Sequence, residues 1–285
     1  MLVIGLIYKL PVCSHPVYET NIHDRQRCTL PSRYRDRTDT ISTFHTLHAP
    51  YSDPIIISMN ANAYILDFLR DLAANNNREW FTANKSRYDT AYAMFNNEVA
   101  TFIAELSRFD AELQYLMPQQ CIYRIYRDLR FTPDKRPYKQ HFGAYIAMRG
   151  GRKSRFCGYY LHLEPENSAL GTGIYVVEPK LLRAIRDELV HNYDTLRQVT
   201  EAKSFKRYFN GIEPMRQEQR LRHVPKGYPA DTPAAEWLKL KTFMIGHDLT
   251  NEVVCADDFM AKAVEICRAM KPFNDFFNAI IEDYV

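Results

Sequence analysis

The chain has 285 residues, enough for one large domain with a substantial core, and its 46% apolar and 25% charged residues exclude wholesale disorder or a collagen-like chain. No apolar run approaches the ~18–20 residues of a membrane span, so no membrane partner is expected. The net charge of +3 is small as a total and informative only in its distribution.

Residues 1–58 differ from the rest. They carry Pro11, Pro16, Pro31, Pro50 and Pro54 and four of the nine histidines, and show neither helical nor strand period. The short apolar stretch at the start has its lysine after it and no small-residue cleavage site, so it does not read as a signal peptide. The expectation is a disordered or non-native extension over 1–58, followed by a single α+β domain over 59–285. The six cysteines are scattered without a C-x-x-C pair, which points to reduced thiols and a cytoplasmic location.

From Met59 onward helical spacing begins, with Ile65, Phe68, Leu69 and Leu72 on one stripe. Asn76 followed three residues later by Glu79 resembles an N-terminal capping box. A long helix is predicted over 84–108 and ends before Pro118. Four short runs rich in aromatic and β-branched residues follow, at 121–127, 141–149, 155–165 and 170–178. No crossover helix separates them, so they predict an antiparallel meander. Pro179 opens a helix at its first position. Further helices are expected near 197–209, 233–241, 256–270 and 273–283, with a returning strand over 242–249. The fold class is α+β, a central mainly antiparallel sheet with helices packed on one face and at its ends.

Charge is concentrated in residues 124–139, where Arg124, Arg127, Arg130, Lys135, Arg136 and Lys139 face only Asp128 and Asp134, a net of +4. Adding Arg149, Arg152, Lys153 and Arg155 makes 124–155 +8 and the remainder −5. Two unit charges ~4–5 Å apart repel by roughly 3–4 kcal/mol at an effective dielectric near 20. Either these side chains splay into solvent or the site expects an anion. In an extended segment Arg124, Asp128 and Arg130 leave one side and Arg127 the other, and Pro133 and Pro137 stiffen the return. Arginine forks suit carboxylate and phosphate. The expected ligand is a phosphate- or carboxylate-bearing small molecule held by Arg124, Arg127, Arg130, Lys135, Lys139 and, from the Pro225–Tyr228 turn, Lys226. Were a reaction to occur there, Asp128 or Asp134 would serve as base and the Tyr138 hydroxyl would reach the same ligand. The bland reading makes Arg127–Asp128 and Asp134–Lys135 structural pairs.

Arg124, Arg127, Asp128, Arg130, Phe131, Asp134, Lys135 and Tyr138 resemble the signature of a bacterial domain of unknown function, number 2461. Asn76–Phe81, Gly158–Pro165, Pro225–Tyr228 and Lys271–Phe276 are similar to other parts of that family. The resemblance spans roughly residues 60–283 and implies no activity.

Other constellations are weaker. His162 and Glu164 share a strand face, and His141 on a neighbouring strand would complete a two-histidine, one-carboxylate set, but the spacing is common and no metal is assigned. Gly171-Thr172-Gly173 lacks a dinucleotide fingerprint and reads as glycines easing a strand bend. Cys121 and Cys157 read as buried thiols. No cofactor is assigned. The alternative functions are a single-stranded nucleic-acid-binding module stacking bases on Tyr123, Tyr126, Phe131, Tyr138 and Phe156, or a structural interaction domain.

Overall fold

The computed structural model describes residues 60–130, 133–175, 177–210 and 220–284. The expectation for residues 1–58 lies outside them. Ala61–Ala74 (α1) opens with the Asn60 side chain accepting from the Asn62 amide and buries Ile65, Phe68, Leu69 and Leu72, as the spacing predicts. Arg78–Ala83 (α2) is capped by Asn77, whose side chain accepts from the Trp80 amide at 2.8 Å. The cap is therefore one residue later than the capping-box reading places it, because the Asn76 side chain is engaged elsewhere. Lys85–Ser107 (α3) buries Phe95, Val99, Phe102, Ile103 and Leu106. The short Pro118–Cys121 (α4) follows.

Phe142–Ile146 (β1), Tyr159–Leu163 (β2), Ser168–Ile174 (β3) and Phe243–Leu249 (β4) form one antiparallel sheet in the order β1-β2-β3-β4. The register pairs Gly143 with His162, Tyr160 with Gly171 and Gly173 with Met244. Residues 121–127 make only isolated bridges, Ile122 to Ala144 and Tyr126 to Tyr138. Pro137 supplies a carbonyl to the Arg127 amide (3.0 Å) but has no N–H to return, so a regular ladder cannot propagate.

Between β3 and β4 lie Pro179–His191 (α5), Tyr193–Glu201 (α6), Lys203–Lys206 (α7) and Ala235–Leu238 (α8). The helix expected over 197–209 thus starts earlier and is broken at Ala202, which has extended backbone (φ −57°, ψ 141°). After Asn251–Val254 (α9), the two C-terminal helices of the sequence reading are one, Phe259–Tyr284 (α10), running through Pro272. Proline removes one helical hydrogen bond there, but Met270, Phe273, Phe277 and Ile281 bury on both sides of it, and continuous burial outweighs the local break.

Alternation sends Phe142, Ala144, Leu161, Leu163, Leu170, Phe243 and Ile245 to the face that meets the helices. The Phe142 ring lies 5.2 Å from Phe95 of α3 and the Phe243 ring 5.2 Å from Phe277 of α10. Gly143, Tyr145, Tyr160, His162, Gly171, Gly173 and Met244 share the second face. Gly173 has φ +118°, and a Cβ there would sit 1.9 Å from the Phe243 carbonyl oxygen, so the strand bends where glycine alone fits. The fold is α+β. Among the described residues no helix is long and apolar enough to cross a membrane.

Candidate functional site

The cation-rich segment is held by backbone and aromatic contacts before its charges matter. The Asn76 side chain accepts from the Tyr138 amide (3.1 Å) and donates to the Tyr138 carbonyl (3.0 Å), a two-point clamp across 62 residues of sequence. Phe81 stacks on the Tyr138 ring at 4.0 Å and 15°. The Asn76–Phe81 stretch and the cation-rich signature are thus two halves of one structural unit. Tyr138 is buried, and burial raises its pKa, so the phenol stays protonated.

Three arginines share the two carboxylates. Arg130 makes a fork to Asp128 (Nη2 to Oδ2, 2.7 Å) and also donates its backbone N–H. Arg136 does the same to Asp134 (2.6 Å), and Arg127 reaches Asp134 from across the loop (2.6 Å). The pairs are therefore Arg127–Asp134, Arg136–Asp134 and Arg130–Asp128, not the sequence neighbours. Arg127 is only 19% exposed. The hydrogen bonds from the Arg130 side chain and backbone hold Asp128 down to about 2, and those from Arg136, then Arg127, hold Asp134 lower still. Carboxylates so stabilised as anions are weak bases near neutrality.

Of the remaining predicted cations, Lys135 donates to the Leu129 carbonyl (3.2 Å) and Lys139 lies over the Tyr123 ring (5.2 Å). Arg124 is exposed and makes no ion pair among the described residues, though its charge helps depress Asp128. Lys226 is exposed on a turn whose Tyr228 hydroxyl donates to Asp187 of α5 (2.8 Å), so that turn is anchored to a helix and not to the signature loop. Of the aromatic residues proposed for base stacking, Tyr138 and Phe156 are buried, Phe156 beneath the Arg149 guanidinium, and Phe131 lies outside the described residues. That leaves Tyr123 and the half-exposed Tyr126.

The second face of the sheet brings together groups far apart in sequence. A cavity of about 280 Å³ is lined by Tyr123, Tyr145, Tyr160, Tyr175 and Tyr284, by Arg152 and Arg155 from the cationic stretch, and by Glu178. Arg155 lies 3.6 Å from Glu178, and Arg152 donates to the Gln119 carbonyl. Among the described residues of the signature neighbourhood only Tyr123 reaches this cavity; Arg152, Arg155 and Tyr160 were visible in the sequence only as parts of a charge run and an aromatic strand.

Beside the cavity the Tyr160 hydroxyl meets His162 Nδ1 at 2.9 Å, and His162 Nε2 meets Glu164 Oε2 at 3.1 Å. Gly143 permits this, since a Cβ there would lie 2.8 Å from the Tyr160 hydroxyl. Asn167 donates to the same Glu164 oxygen. His141 packs on His162, ring centroids 4.2 Å apart, and burial, then the neighbouring His162, Lys139 and Arg127, keep it neutral well below the ordinary histidine range. Donor atoms of His141, His162 and Glu164 all lie within 4.8 Å of one another. Cys121 and Cys157 are buried, and burial pushes Cys121 up to about 11 and Cys157 further up, against a reactive thiolate.

Two further motifs are structural. Asn274 of α10 is buried, donates to the Gly158 carbonyl and bonds the Thr172 hydroxyl, and Asn278 clamps the Cys157 backbone from both sides (2.7 and 3.1 Å). These bonds fix α10 against the start of β2. Comparison with curated proteins and with solved structures finds no match. Residues 64–276, well over half of the chain and including the Asn76 clamp, the signature loop and all four strands, match the family described as conserved hypothetical protein (DUF2461), and the chain belongs to that family.

Proposed function

We propose that the protein binds a small phosphate- or carboxylate-bearing molecule with an aromatic or apolar body, in the cavity on the second face of the sheet. The observation that carries this reading is the lining: five tyrosines and two arginines against a single carboxylate, in a cavity of about 280 Å³. That volume is at the small end of ligand sites, and flat apolar walls with a few convergent polar groups are their usual chemistry. In this reading Arg152 and Arg155 meet the anion, which replaces Glu178 beside Arg155. Arg124, Lys135 and Lys139 add positive field from the adjoining loop, which favours entry of an anion. Asp128 and Asp134 serve to position Arg127, Arg130 and Arg136 and accept no proton. No reaction is assigned.

Calorimetric titration of the full chain with phenyl phosphate and with inorganic phosphate tests the reading. Phenyl phosphate should bind more tightly, because the ring contributes apolar contact. Replacing Arg152 and Arg155 together with Ala should weaken it at least about tenfold, since hydrogen bonds to charged groups contribute ~1.5–3 kcal/mol each. Equal binding by wild type and this double variant, or no binding by either, would remove the proposal.

A further inference from the structure

We infer that His141, His162 and Glu164 form a binding site for a divalent transition-metal ion of the zinc type. This goes beyond the anion reading and stands without it. Two imidazoles and one carboxylate, with positions left open for other ligands, are a donor set that first-row divalent ions accept. Donors at ~2.0–2.2 Å from a tetrahedral ion lie about 3.3–3.6 Å apart. His162 Nε2 and Glu164 Oε2, at 3.1 Å, already have nearly that separation, and the full set spans no more than 4.8 Å.

The supporting groups have the arrangement a ligand needs. Metal-bound histidine usually holds its other ring nitrogen in a fixed hydrogen bond, and the Tyr160 hydroxyl occupies that place at His162 Nδ1, 2.9 Å away. Asn167 fixes the Glu164 carboxylate. The independent observation is His141. It is 8% exposed, yet neither of its ring nitrogens makes a hydrogen bond or ion pair among the described residues, and it has a donor atom aimed into this group. An imidazole this enclosed that bonds to no side chain or backbone group keeps a ring nitrogen available to a ligand such as a metal ion.

The test uses the full chain, stripped with a chelator and desalted, and titrated with Co²⁺ followed by visible absorption and with Zn²⁺ by calorimetry. Other histidines in the chain can take up metal, so the decisive quantity is the difference between wild type and variants. Wild type should bind one equivalent more than Glu164→Gln or His162→Ala and show cobalt d–d bands that both variants lose. Tyr160→Phe should keep the stoichiometry and bind about 10–100-fold more weakly, as removal of an orienting hydrogen bond does. Glu164→Gln is nearly isosteric, so it decides the matter if His162→Ala fails to fold. Identical stoichiometry, affinity and bands in wild type and Glu164→Gln would overturn the inference, as would the lack of any cobalt band in wild type.

Discussion

The signature loop and the second face of the sheet solve opposite problems. In the loop, charges are close in sequence and mostly exposed, and they pair over two to seven residues: Arg130 with Asp128, Arg136 and Arg127 with Asp134. On the sheet face, Tyr160, His162, Glu164 and His141 are brought together by strand register, and the first, second and last are buried. Local pairing in water shapes a loop but contributes modestly to folding, whereas groups assembled across strands exist only while the whole sheet does. Damage to the loop should therefore be local, and damage to the sheet face global.

The largest expected effect tests the second half of that contrast. Gly173→Ala must place a Cβ 1.9 Å from the Phe243 carbonyl oxygen on a backbone at φ +118°. Strain and overpacking together should cost about 3–5 kcal/mol. Urea denaturation should show a much lower midpoint with an unchanged slope. A midpoint close to that of wild type would mean that the sheet face yields locally, and the contrast with the loop would fail.

The same contrast explains what the sequence made legible. The apolar stripe of α3 and the alternation in β4 are periodic signals within one segment, and both elements appear where they are predicted. By contrast, Asn76 reads as a helix cap because its partner, the Tyr138 backbone, is 62 residues away. Pro272 reads as a break because the burial that carries α10 through it is tertiary. The proximity of His141 to His162 depends on Gly143 standing opposite His162, a register that no spacing rule fixes before the turn between β1 and β2 is known. The charge excess of the loop was legible, but the side chains that line the cavity were not the ones nearest the signature.

A smaller effect separates two arginines that look alike in sequence. Arg127 is 19% exposed and crosses the loop to Asp134, while Arg130 is 73% exposed and pairs two residues back. Arg127→Ala should speed amide exchange across residues 133–139 by about tenfold or more while leaving the strands protected. Arg130→Ala should change exchange only beside Asp128, because an exposed pair is screened and readily replaced by water. Equal effects of the two variants would show that the crossing pair adds nothing to the loop.

The smallest effect concerns pH. Asp128, held by the Arg130 side chain and backbone, has its pKa lowered to about 2, and Asp134, held by Arg136 and Arg127, is lowered further. In an unfolded chain both would titrate near ~3.9. A pKa lower in the folded state means that the unfolded state binds protons first as pH falls. The contribution of these pairs is thus complete above about pH 4 and is lost as pH drops through about 2 for Asp128, and lower for Asp134. A carboxyl-carbon NMR titration should place the Asp128 midpoint near 2 in wild type and move it toward ~3.9 in Arg130→Ala, because the hydrogen bonds that favour the anion go with the guanidinium. A wild-type midpoint near the unfolded value would show that the fork to Arg130 does not persist in solution, and the loop would then owe its shape to the Asn76 clamp, the Phe81 stack and the pairs to Asp134.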